Sequence, residues 1–78
     1  MKNIKRHPYL VELGSTIRDK RKAKGLTQES LAFEAGIDRS YIGGIERGER
    51  NISILTLAKI AKCLACDISS LTKGIPND

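Results

Sequence analysis

Residues 26–51, LTQESLAFEAGIDRSYIGGIERGERN, constrain the fold more than any other stretch, because they spell two short helices around a glycine turn. Thr27 can cap a helix over 28–35, its hydroxyl accepting from a first-turn backbone N–H. Gly36 can take the left-handed conformation that ends that helix. Asp38 then caps a second helix from Arg39 to about Arg47. In this register Leu31, Ala32, Ala35, Ile37, Ile42 and Ile45 form an apolar face, while Gln28, Arg39, Ser40, Tyr41 and Arg47 point outward. The expected product is a packed helix pair whose second member shows a polar, cationic surface.

The flanks extend the pattern. Pro8 disfavours helix at His7, so residues 1–8 read as a flexible basic arm. From about Tyr9 to Lys24, Leu10, Leu13, Ile17 and Arg21 recur at spacings of three and four and share one helical face, which Gly25 closes. Arg21 lies on that inward stripe, an expensive place for a charge without a partner. After a loop over 48–52, Ser53 caps a helix from Ile54 to about Leu64 with Leu57, Ile60, Ala61 and Leu64 inward and Lys59 and Lys62 outside. Asp67 caps a short fifth helix over 68–73, closed by Gly74 and Pro76. Brief connections leave no room for a sheet, so the expected fold is all-α, a compact five-helix bundle. One domain would span 9–75, followed by a tail at 76–78.

A chain of 78 residues buries a small core, and a dimer would add stability. The candidate interface is Ile54, Leu55, Ile68, Leu71 and Ile75, for which the competing role is monomer core, particularly at Ile68 and Leu71.

The net charge of +5 is unevenly placed. Residues 1–24 hold eight Lys or Arg against two acids, a balance of +6, and residues 25–78 hold six against seven, a balance of −1. A basic surplus fits phosphate backbones or an anionic membrane, and a solvated helix face explains it as well. The membrane reading lacks a Trp- or Phe-rich opposite face. No apolar run approaches the roughly 20 residues of a bilayer span, and MKNIKRHPY has no apolar signal core, so a cytoplasmic location is expected.

Cys63 and Cys66 form a lone C-x-x-C. A four-ligand zinc site needs a second pair, and His7 is far away in sequence; a redox motif wants a preceding strand, where here a helix precedes. The expectation is therefore a buried, small apolar Cys66 and a Cys63 toward the outer edge, with no metal and no cofactor. With one His and no grouping of acid, base and nucleophile, the chain offers no catalytic site.

The words Leu26-Thr27-Gln28 with Leu31-Ala32, and the closing Ile45-Glu46-Arg47-Gly48, resemble the phage-repressor-like helix-turn-helix family, of Cro/C1 or XRE type, over roughly residues 10–73. Within that family Asp38-Arg39-Ser40-Tyr41-Ile42 and Arg50-Asn51-Ile52 resemble the small controller proteins of restriction-modification operons. The resemblance implies a lambda-repressor-like bundle that binds double-stranded DNA and regulates transcription. It implies an inward ion pair between Arg21 and Glu46. It also implies a homodimer on a near-palindromic operator, its two reading helices about 34 Å apart, with RNA polymerase as a further partner. An antitoxin-type autorepressor or a protein-docking module could use the same fold. A docking surface would favour exposed large apolar residues, whereas Arg39, Ser40 and Arg47 favour nucleic acid.

The B-DNA major groove is about 12 Å wide and admits one helix, whose N-terminal side chains reach base edges. The expected base contacts are Arg39, Ser40, Tyr41 and Arg47. Gln28, at the positive end of the first helix of the pair, would meet a phosphate, as would Arg50 and Asn51. Gly43 and Gly44 depart from pattern, since glycine inside a helix costs roughly 1 kcal/mol relative to Ala. The functional reading is close approach of the Gly43 backbone to DNA, with more of the sequence preference left to DNA shape.

Overall fold

Every helix among the described residues starts on a side chain that accepts a hydrogen bond from a backbone N–H two or three residues on. His7, Thr27, Asp38, Ser53 and Asp67 play this part, satisfying a donor that the first turn leaves without an intrahelical partner. In the computed structural model, which describes residues 6–76, the helices are α1 (Pro8–Ala23), α2 (Gln28–Ala35), α3 (Arg39–Glu46), α4 (Ile54–Cys63) and α5 (Ile68–Leu71), with no strand among the described residues. At Thr27 the cap is reciprocal, because the Ser30 hydroxyl accepts from the Thr27 N–H. Gly36 ends α2 at φ 68°, a conformation that disfavours a side chain.

The boundaries correct the sequence reading in places. Helix α1 begins at Pro8, not after it, because the fixed φ of proline suits the first helical position and its missing N–H costs nothing there. The expected arm over 1–8 therefore gives up Pro8 to the helix and His7 to its cap, and Arg6 pairs with Glu49. Residues 1–5 of the arm and 77–78 of the tail lie outside the described residues. Helix α5 stops at Leu71 and not at Lys73.

Ile17, Leu31, Ile42, Ile60 and Leu71 are the largest fully buried side chains, one from each helix. Around them α1 and α2 pack on α3, α4 packs on α2, and α5 closes against α4 and α1. Leu71 is 0% exposed. That removes it from the expected dimer interface: with α5 only four residues long, its last apolar side chain has to plug the core. Ile68 and Ile75 are half-buried against the same core, whereas Ile54 and Leu55 are 63% and 73% exposed. Cys66 is half-buried, not fully buried as expected, and Cys63 is half-buried too. Burial pushes the Cys63 thiol above its usual value, with Glu34 adding to the rise and Lys62 opposing it. The rise disfavours the nucleophilic thiolate form of Cys63.

Helices α1 and α3 meet backbone to backbone. A Cβ on Gly14 would lie 2.3 Å from the carbonyl oxygen of Ile45 and 2.7 Å from that of Glu46, so the crossing depends on the absence of a side chain. Overpacking costs about 1–3 kcal/mol, against a gain of about 1 kcal/mol in helix propensity. Gly14→Ala is expected to show a net loss of stability in urea unfolding. A net gain would mean that α1 can slide away from α3 at no cost.

Candidate nucleic-acid interface

Helix α3 carries two unlike faces. Inward, Ile42 and Ile45 are buried in the core. Outward, the helix opens on Arg39 and Ser40, both exposed. Asp38 fixes this entry: its carboxylate accepts from the Ser40 N–H at 3.0 Å and from the Ser40 hydroxyl. Those bonds, the hydroxyl first, hold the Asp38 carboxyl below its usual range. The Ser40 hydroxyl is thus already engaged, while the Arg39 side chain extends from the first turn with no ion-pair partner among the described residues.

The middle of the outward face is bare helix roofed by arginines. Arg47 Nη1 lies 3.1 Å from where a Gly43 Cβ would stand, with Gln28 Oε1 at 3.6 Å, and Arg50 Cγ and Nε lie 3.0 and 3.1 Å from the corresponding point on Gly44. Both glycines are buried. In the free protein Arg47 lies over Gly43, so the expected approach of the Gly43 backbone to DNA requires that exposed side chain to move aside. The two helical glycines leave room for two cations to lie along the helix. Arg50 also stacks over the half-buried Tyr41 ring at 5.2 Å, a cation–π contact. Asn51 is exposed in the following loop.

The far end of α3 is anchored inside. Arg21 and Glu46 are 7% and 4% exposed. Arg21 Nε and Nη2 donate to the two carboxylate oxygens of Glu46 at 2.6 and 3.0 Å, and Nη1 donates to the Leu26 carbonyl at 2.8 Å. The hydrogen-bonded carboxylate raises the Arg21 pKa, with burial opposing. Gln28 joins the cluster, its Nε2 donating to Glu46 Oε1 at 3.0 Å. One carboxylate thereby ties α1, α2 and the end of α3, and the Gln28 amide keeps one N–H for another acceptor.

Two features escaped the sequence reading. Glu49 accepts from Arg6 at 2.9 Å and from Arg47 at 3.1 Å, and these partners, Arg47 first, lower its pKa. The run Glu46-Arg47-Gly48-Glu49-Arg50 displayed the alternating charges, though not which of them meet. Phe33 is 87% exposed on α2; as the one large apolar residue off the α2 stripe, it could have been flagged.

Among the described residues no helix is long and apolar enough to cross a membrane, and no group of three or more His, Cys, Asp or Glu is placed to hold a metal.

The helix-turn-helix family profile matches residues 17–71. The chain is 38% identical over 68 residues to control protein C.SmaI of Serratia marcescens, which covers 85% of this chain and 81% of that protein. Among solved structures it is similar to the restriction-modification controller protein C.AhdI of Aeromonas hydrophila, at 48% identity and a TM-score of 0.82, with 83% of this chain and 98% of that one covered. It is also similar to SinR, a master regulator for biofilm formation solved in complex with DNA, at 37% identity and a TM-score of 0.73, covering 76% and 95% of the two chains.

Proposed function

The chain belongs to the helix-turn-helix family of DNA-binding regulators, and from that premise we propose that it is the controller of a restriction-modification operon, acting as a homodimer on a near-palindromic operator. The observation that carries the reading is α3, whose inner face is buried in the core while its outer face presents Arg39 at the entry and Arg47 and Arg50 along bare glycines. A surface of that kind suits a groove lined by acceptors. A protein-docking module would instead place large apolar side chains on the outer face of α3.

In this reading Arg39, Ser40, Tyr41 and Arg47 face base edges, and Gln28, Arg50 and Asn51 face phosphates. Gln28 would act through its second amide N–H and the positive end of α2, since Glu46 takes the first. Ile54 and Leu55 supply the exposed apolar surface that a second copy would cover, with the half-buried Ile68 and Ile75 as the further candidates. RNA polymerase, met at a promoter beside the operator, is the proposed further partner, and the cytoplasm the proposed location.

The test begins with selection from a random duplex library, expected to return a near-palindromic site. Arg39→Ala should then lose about 1–3 kcal/mol of binding on the selected site and less on scrambled duplex, because a guanidinium that takes guanine O6 and N7 together discriminates by that amount. Equal losses on both duplexes would make Arg39 a backbone contact. A library that returns no preferred site would overturn the sequence-specific reading.

A further inference from the structure

Glu49 is an acid set among the arginines at the far end of the α3 outer face, an awkward neighbour for DNA if charge alone mattered. Its side chain is nonetheless only 15% exposed, clamped between the Arg6 and Arg47 guanidiniums, which are about half exposed at 51% and 56%. The bond from Arg47 leaves through Nε, so the guanidinium is held at its inner edge and its Nη1 lies over Gly43. A guanidinium has two edges that can grip two acceptors at once, Nε with one Nη or the two Nη together. With Nε taken, the paired Nη edge is the one left to read a base.

We propose that Glu49 is a specificity-determining positioning residue: it fixes Arg47 along the bare Gly43 surface and keeps Arg47 and Arg6 from acting as loose, phosphate-seeking cations. The proposal rests on the DNA-binding reading above and adds a residue that touches no base. Its logic is competitive. An arginine with a free fork binds any phosphate and gains affinity on every sequence, whereas one oriented by a carboxylate gains mainly where a guanine edge meets it. Gly43 completes the arrangement, since a Cβ there would press on Arg47 Nη1 at 3.1 Å.

The experiment compares wild type, Glu49→Ala, Glu49→Gln and Asp19→Asn on the selected and scrambled duplexes over a range of salt concentrations. Asp19, an exposed residue of α1, supplies the same change of charge without touching Arg47. In Glu49→Ala the ratio of scrambled to specific Kd should fall about ten-fold, chiefly by tighter scrambled binding. The salt slope on scrambled duplex should steepen by about 0.9 for each arginine released onto a phosphate. Glu49→Gln, which keeps an acceptor for Arg47 Nε, should fall between. If Glu49→Ala and Asp19→Asn shift both duplexes by the same factor, Glu49 acts only as charge and the proposal is overturned. A second readout needs no DNA: the Arg47 Nε–H in the nitrogen-15 spectrum of the free protein should be distinct and slow to exchange in wild type and averaged in Glu49→Ala. An Arg47 signal already averaged in wild type overturns the positioning role directly. Failure of wild type to prefer any duplex, with the Arg47 signal still distinct, would count against the DNA-binding reading and not against the clamp.

Discussion

Glu46→Ala is expected to lower the free energy of unfolding by about 3–5 kcal/mol, the range for breaking a buried ion pair by removing one member. The carboxylate accepts both nitrogens of the Arg21 fork and the Gln28 amide, so its loss leaves a guanidinium 7% exposed without a counter-charge. Only the Leu26 carbonyl would remain to it. Total stability of such domains is about 5–15 kcal/mol, so the loss is about a third or more of it for all but the most stable, and urea titration in the cold is the appropriate measurement. Glu46→Gln, which keeps one acceptor oxygen, should lose less. A loss below about 1 kcal/mol, the range of exposed pairs, would show that solvent reaches Arg21 and that the pair is a surface contact.

Leu71→Ala should cost about 2–5 kcal/mol, since truncating a filled core position forfeits both burial and packing. The effect separates core from interface. A residue that only seals a dimer loses its contribution on dilution, because mass action governs that part of stability; Leu71 sits at 0% exposure within a single chain, so its penalty should be the same at every protein concentration. Leu55→Glu should do the opposite, leaving the unfolding of the diluted protein within about 0.5 kcal/mol of wild type while dissociating the proposed dimer in sedimentation. A penalty at Leu71 that vanishes on dilution would return it to the interface.

Much of this fold could be read from the sequence because its helices announce themselves locally. Thr27, Asp38, Ser53 and Asp67 cap in the structure where their positions before apolar periodic runs placed them, and Gly36 ends α2 as its neighbours required. Pro8 had a local signal too, its preference for the first helical position, outweighed in the sequence reading by its effect on the residue before it. The misjudged positions depend on where helices cross. Nothing near Gly14 in sequence indicates that the end of α3 rests on it. Leu71 reads as interface or core until α5 is known to be one turn long. Nor does the sequence near Gly43 show that Arg47, four residues on, folds back over it. Glu49 could be recognised as a charge among charges, but its partner Arg6 lies 43 residues away.

The two bare glycines also set how such a regulator can change its target over generations. Arg39, Ser40, Arg47 and Arg50 are exposed, and none of them belongs to the buried core, so codons 39, 40, 47 and 50 can mutate without a volume change in the core. Codons 42, 45 and 46 lie between them and encode buried side chains. If these side chains read DNA as proposed, new operators are reachable by single steps that keep the bundle intact, and adjacent codons 46 and 47 differ in what constrains them: one by what it holds inside the core, the other by a surface carboxylate and the DNA it meets.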